Sequence, residues 1–247
     1  MKKLLLTAVS ISALAVSTTA MAGNSTSNVT QIGAGPVTAT VDQSTTLGGA
    51  SLSNLTQNGA NHVATVTQGS DAGSTALPTD LVNDSLVTQS GNAHTATVSQ
   101  INTGNPAPGS IVNDSDVIQA GSGHIANVSQ VGDDNVSLVD QLLNDNTANV
   151  NQDDMGGEVD GNDSMVFQTA QFGEANVTQL NAGNTSIVNQ SGVGVGPVGT
   201  GGVVNVTQTD AAGFGSLSTV NQSGDNNVTT VSQDGSNDGM GAYGSTV

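Results

Sequence analysis

The sequence of 247 residues contains no cysteine and no tryptophan, and its only two basic residues are Lys2 and Lys3. Without cysteine there is no disulfide framework, no thiolate metal site and no Cys nucleophile. Without Lys or Arg beyond position 3 there is no basic footprint for DNA or RNA, whose phosphates are met by those side chains. Intrachain Lys/Arg salt bridges are excluded from the body of the chain on the same ground. Twenty Asp and Glu residues against the two lysines give a formal charge of −18. Aromatic residues make up 2% of the chain, too few for the core of an ordinary globular domain.

Long apolar runs are also missing, with one exception at the start. Met1-Lys2-Lys3 is followed by an apolar run from Leu4 through Val16 and then by small residues ending Ala20-Met21-Ala22. A positive beginning, a short apolar stretch and an A-x-A-like end spell a secretory signal, too short to span a bilayer. Residues 1–22 are therefore expected to be removed after export, with cleavage near Ala22, leaving a secreted or cell-surface protein.

What the chain has in abundance is repetition. Reading back from successive glutamines, one seven-residue pattern recurs: polar-x-small-x-aliphatic-x-Gln. Its clearest copies are Asn83-x-Ser85-x-Val87-x-Gln89 and His94-x-Ala96-x-Val98-x-Gln100. Strict alternation over seven residues predicts a β-strand with one buried face. Glutamines recur most often at 11-residue steps, as in Gln119, Gln130, Gln141 and Gln152, and as in the pairs Gln57 and Gln68, Gln168 and Gln179, and Gln222 and Gln233. Seven residues of strand and four of turn account for the step. The glycines Gly59, Gly91, Gly121, Gly132, Gly192 and Gly224 open these turns, where positive φ is needed.

Two strand types alternate. The first carries serine at its small position (Ser27, Ser53, Ser85, Ser115, Ser137, Ser164, Ser186, Ser218). The second carries mostly alanine (Ala39, Ala64, Ala96, Ala126, Ala148, Ala175, then Val204 and Thr229). The chain thus holds eight strand–turn–strand units of about 22 residues. One unit cannot bury its inner face, but stacked units can. Stacking at roughly 4.8 Å per rung puts like upon like and gives an all-β solenoid roughly 38 Å long. Its ladders are glutamines, including Gln190, beside valine and serine files and the polar residues His62, His94, His124, Asn83, Asn113, Asn135, Asn146, Asn184 and Asn227.

The solenoid is expected over 23–233, with 234–247 a loose cap. Longer insertions interrupt the repeat at 69–82, 101–112, 153–161 and 191–201, all rich in turn-forming residues. The stretch Leu138–Val150 has helix-like leucines, but Gln141 and Gln152 keep their step, so it reads as strand, turn, strand.

These units resemble the curlin repeats of bacterial curli, the extracellular amyloid of biofilms, whose unit is Ser/Asn-x5-Gln-x-Gly-x2-Asn-x-Ala-x3-Gln. Ser51 to Gln57, Gly59 and Ala64 to Gln68 match it. So do Asn135 to Gln141 with Asn146, Ala148 and Gln152, and so do Gln222-Ser223-Gly224-Asp225-Asn226-Asn227 with Gln233. The resemblance covers nearly all of 25–233. It implies a fibre homopolymer for biofilm matrix, adhesion and surface colonisation, other curlin-type subunits as partners, and an outer-membrane secretion pore.

Three features invite other readings. His62, His94 and His124 stand at one position of three consecutive units, as a pH sensor or metal site, or as substitutes for Asn in a stacked hydrogen-bonding file. Acidic turns (Asp133-Asp134, Asp145, Asp153-Asp154, and Glu158 through Asp160-Gly161-Asn162-Asp163) read as Ca²⁺ ligands or as a solvated anionic rim. The outward Thr and Asn residues of second-type strands, Thr38, Thr95 and Thr147 beside Thr40, Thr65, Thr97, Asn127, Asn149, Asn176, Asn205 and Thr230, are what an ice-binding solenoid would present. The alternatives to a fibre subunit are thus an ice-binding protein and a calcium-dependent adhesin. No nucleophile, base and orienting partner stand at a diagnostic spacing, so neither an enzyme nor, apart from Ca²⁺, a cofactor is expected.

Overall fold

The computed structural model describes residues 3–9, 14–18, 25–33, 35–45, 50–70, 81–103, 113–154, 161–181, 183–192, 201–210, 215–224, 226–235 and 245–246. Among these there is no helix. Strands are numbered along the chain, and the odd ones form one parallel sheet. They are β1 (Lys3–Val9), β3 (Thr26–Ile32), β5 (Ala50–Ala60), β7 (Leu81–Asn92), β9 (Asn113–Ser122), β11 (Asn135–Asn144), β13 (Asp163–Gln168), β15 (Thr185–Ser191), β17 (Leu217–Ser223) and β19 (Ser245–Thr246). The even ones form the other: β2 (Leu14–Thr18), β4 (Val37–Thr45), β6 (Val63–Ser70), β8 (Thr95–Asn102), β10 (Ile125–Val131), β12 (Thr147–Asp153), β14 (Glu174–Leu180), β16 (Val203–Asp210) and β18 (Val228–Gly235).

Each strand pairs with the strand two before and two after it, so the chain coils from sheet to sheet as a two-sided β-solenoid. β3 to β18 are the eight expected units, and Leu138–Val150 is indeed the end of one strand, a corner and the start of the next. Register is like upon like: Ser85 on Ser115 on Ser137, Val87 on Val117 on Val139, Gln89 on Gln119 on Gln141. The second sheet stacks Ala96, Ala126 and Ala148 in the same way. Burial alternates residue by residue, as in β13 and β15, because successive side chains leave a strand on opposite faces. The core is a file of valines with Leu55 from one sheet, facing files of alanine and valine from the other. Each buried valine contributes roughly 1.5–3 kcal/mol, and repetition makes up for the missing aromatics.

The corners are not plain four-residue turns. β5, β7, β9 and β11 run past their glutamines, so the parallel ladder continues around the bend. The six turn glycines all have positive φ, between 88° and 154°. At Gly121 the reason is steric as well as conformational, because a side chain there would collide with the Leu143 carbonyl of the next rung. Left-handed residues the sequence reading did not single out, among them Asn61, Ala93 and Asp145, complete the corners.

At the first edge, β1 pairs with β3, but Leu4 stands opposite Ser27 and Ala8 opposite Gln31, so neither the serine nor the glutamine file extends into it. The cleavage position Ala22 lies outside the described residues, as do the interiors of the insertions, Glu158, Asp160 and residues 236–244. Within the expected C-terminal cap, β18 extends to Gly235 and Ser245–Thr246 pairs with β17.

Candidate functional site

Among the described residues the buried polar side chains are gathered in files that run along the stack. The most extended are two glutamine ladders, one per sheet. In the first, each Nε2 donates to the Oε1 of the next rung, from Gln31 to Gln57 (2.7 Å), to Gln89 (2.8 Å), to Gln119 (2.8 Å), to Gln141 (2.9 Å), to Gln168 (2.8 Å), to Gln190 (2.8 Å) and to Gln222 (3.1 Å). The second runs through Gln43, Gln68, Gln100, Gln130, Gln152, Gln179, Gln208 and Gln233 with the same polarity. The other amide proton crosses to the opposite sheet, as in Gln119 to Thr95 O (3.1 Å) and Gln130 to Asp114 O (2.8 Å). From Gln57 onward the amides of the first ladder are thereby satisfied within the protein. Gln31, Gln43 and Gln208 belong to the ladders as well, and their place in the seven-residue pattern was the signal for them.

The polar residues that open the strands fall into two files, one at each edge of the solenoid. Asn83, Asn113, Asn135, Asn162 and Asn184 form one, in which each Oδ1 from Asn113 onward accepts the backbone N–H of the next rung at 3.1–3.3 Å. Asn162, within the stretch that reads like a calcium loop, is a fully buried member of this file, and Asp163 is the first residue of β13. Asn146 lies instead on the second file, directly after the histidines, and Asn227 is exposed at its last rung.

On that second file the rings of His62, His94 and His124 stack with centroids 5.0 Å apart and planes within 5°. Each Nε2 lies 3.0–3.3 Å from the carbonyl four residues earlier. Each Nδ1 accepts the backbone N–H of the next rung, from His94, His124 and Asn146 at 3.2–3.4 Å. A carbonyl only accepts and an N–H only donates, so all three rings are neutral and carry their proton on Nε2. Both nitrogens are thus engaged within the protein, as the oxygen and nitrogen of an asparagine amide are at the same position. Asn146 makes the same pair of bonds, to Leu142 O (2.8 Å) and from Gly173 N (2.8 Å). Burial lowers the pKa of all three histidines, and for His94, with a ring on either side, to about 4.

The serine file behaves differently. Its eight hydroxyls, from Ser27 to Ser218, are buried and find no hydrogen-bond partner in the protein. Their value is small size, not polarity. Ser137→Ala is therefore expected to leave stability unchanged or raise it by up to about 1 kcal/mol in denaturant melts, since it removes an unsatisfied buried group. A loss above that would show that the hydroxyl has a partner.

The outward faces differ in character. On the second sheet Asn127, Asn149, Asn176 and Asn205 bond to one another along the stack at 2.8–3.0 Å. Asn127, Asn149 and Asn176, with Thr97, Ser99 and their neighbours, line a shallow groove of about 450 Å³. On the first sheet Asp84 and Asp114 are in register, and Asp116 lies on the same strand face as Asp114. Burial, reinforced by Asp116 and Asp84, raises the Asp114 pKa to about 6, and burial raises Asp84 and Asp116 as well. This cluster was missed because acidic residues at the variable positions of the repeat acquire meaning only when neighbouring units are superposed.

Of the acidic turns, Asp145 is exposed at a corner, whereas Asp133 and Asp154 are buried. Among the described residues no three His, Asp or Glu side chains are grouped to hold a metal ion. No family model, curated protein or solved structure matches this chain.

Proposed function

We propose that this chain is an exported structural subunit, akin to the curlin repeats it resembles, that assembles end to end into extracellular amyloid-like fibres. The observation that carries the reading is the polarity of the glutamine ladders. Every glutamine-to-glutamine bond donates toward the C-terminal rung, and Gln31 Oε1 at the first rung is a buried acceptor with no partner. Removal of residues 1–22 would leave β3 and β4 as the first rung, with edges that match the β17 and β18 end in the serine, valine and glutamine columns, Ser245–Thr246 lying on part of the β17 edge. A second copy stacked head to tail would then continue both ladders and both sheets, in the manner of strand addition to an open edge. The absence of Lys and Arg makes such a junction depend on backbone and amide bonds and not on ion pairs. Biofilm matrix, adhesion and surface colonisation are the roles suited to such a fibre. An outer-membrane pore would serve its secretion, and other curlin-type subunits would be its partners.

Thioflavin T fluorescence and electron microscopy of the purified chain freed of residues 1–22 test this. Fibres are expected, with a cross-β repeat of about 4.8 Å along the axis. A lasting monomer under all salt conditions would sink the proposal and make thermal hysteresis, the mark of ice binding, the next measurement.

A further inference from the structure

The corner beyond β8, β10 and β12 brings together Asn102, Asp133 and Asp154, which the sequence separates by 31 and 21 residues. Each comes from a different rung: Gly132 N bonds to Ile101 O (3.0 Å) and Asp154 N to Val131 O (3.1 Å), so Asn102 and Asp154 flank Gly132 from either side. Gly132 has no side chain, and a Cβ there would occupy the place of the Asp154 carboxylate. Asp154 Oδ2 accepts the Asp133 backbone N–H at 2.6 Å, and Asn102 Nδ2 donates to Asp133 Oδ1. All three side chains are buried: Asn102 is 0% exposed, Asp133 6% and Asp154 2%.

Two buried carboxylates this close are costly unless their charge is balanced. Each accepts an N–H bond, and the chain has no Lys or Arg beyond position 3 to set against their charge. The independent observation is Asn102 Oδ1, which is fully buried and has no hydrogen-bond partner. It belongs to the amide whose nitrogen already holds Asp133, so an unused hard oxygen stands beside the Asp133 carboxylate. Two carboxylates and one amide oxygen make up the donor set.

We propose that Asn102, Asp133 and Asp154 form a binding site for one hard divalent cation of the Ca²⁺ class, tying the third, fourth and fifth rungs together. Carboxylate and amide oxygens are the ligands such an ion prefers, with water or backbone carbonyls completing its shell. The site stands at the base of the insertions that follow β8 and β12, so the ion would brace the solenoid where the repeat is most interrupted. This is independent of fibre assembly and holds for a soluble monomer as well.

The test uses the full chain, stripped with chelator and titrated with CaCl₂ by calorimetry and thermal melting. One Ca²⁺ per chain is expected, with Tm raised by about 5–10 °C at a hundredfold excess over Kd. Asp154→Asn and Asn102→Ala should each weaken binding at least tenfold, while Asp234→Asn at the exposed end of β18 should leave it unchanged. Asn102→Ala removes no charge and keeps the test valid if Asp154→Asn fails to fold. No binding by the wild type, or binding that neither substitution weakens, would overturn the proposal.

Discussion

Replacing Gln119 by alanine should lower the stability of the solenoid by about 3–6 kcal/mol, more than any surface change. Gln119 sits at the middle of its ladder and is fully buried. It accepts from Gln89 Nε2 (2.8 Å) and donates to both Gln141 Oε1 (2.9 Å) and Thr95 O (3.1 Å). Alanine strands two acceptors and one donor in a dry core and leaves a void the size of a carboxamide. Gln222→Ala provides the comparison, because Gln222 ends the ladder and donates to no further glutamine. Its cost should be less than half as great. Guanidinium melts followed by circular dichroism measure both, and a loss below about 1 kcal/mol at Gln119 would show that the amide ladder contributes little.

Acidification should loosen the central rungs through the histidine stack. A neutral Nδ1 accepts a backbone N–H in each ring; a proton there would face that N–H and add charge 5.0 Å from the next ring. His94 has a folded pKa near 4 against an ordinary 6.5. The unfolded chain therefore binds more protons between these values, and the stability that His94 contributes is complete above about 6.5 and lost as pH falls toward 4. At ~1.4 kcal/mol per pKa unit the loss from His94 alone is on the order of 3 kcal/mol. The aspartates of the first sheet act in the opposite sense. Their folded pKa values are raised, to about 6 at Asp114, so their contribution is complete below the ordinary 3.8 and lost as pH rises through 6.

Two substitutions separate these effects. His94→Asn should melt like the wild type at pH 7 and above it at pH 5, because Asn146 shows that asparagine makes the same two bonds in this file. Asp114→Asn should stabilise at pH 7–8 and have no effect near pH 3.5. Parallel losses of wild type and His94→Asn between pH 7 and 4.5 would place the acid sensitivity elsewhere.

Much of this molecule is legible in its residues because a strand's period of two and a rung's period of about 22 are written directly into the chain. Gln89, Gln119 and Gln141 stack because one pattern recurs, and the strand–corner–strand reading of Leu138–Val150 survived its helix-like leucines for the same reason. The histidine stack was visible too, since three units place His before Ala-x-Val-x-Gln. The division of labour inside the files was not visible. That the Ser137 hydroxyl finds no partner, and that each histidine accepts through Nδ1, followed only from the stacked rungs.

The amino-acid sequence by itself determined the sixteen strands β3 to β18, their buried faces and their like-on-like stacking, because each depends on local alternation and on the identity of successive repeats. Tertiary structure alone decided which atoms of each file find partners, the direction of the amide ladders, and the meeting of Asn102, Asp133 and Asp154. Those outcomes depend on how the coil turns each corner and on insertions of unequal length. Residues at irregular spacings come together only once the rungs are stacked.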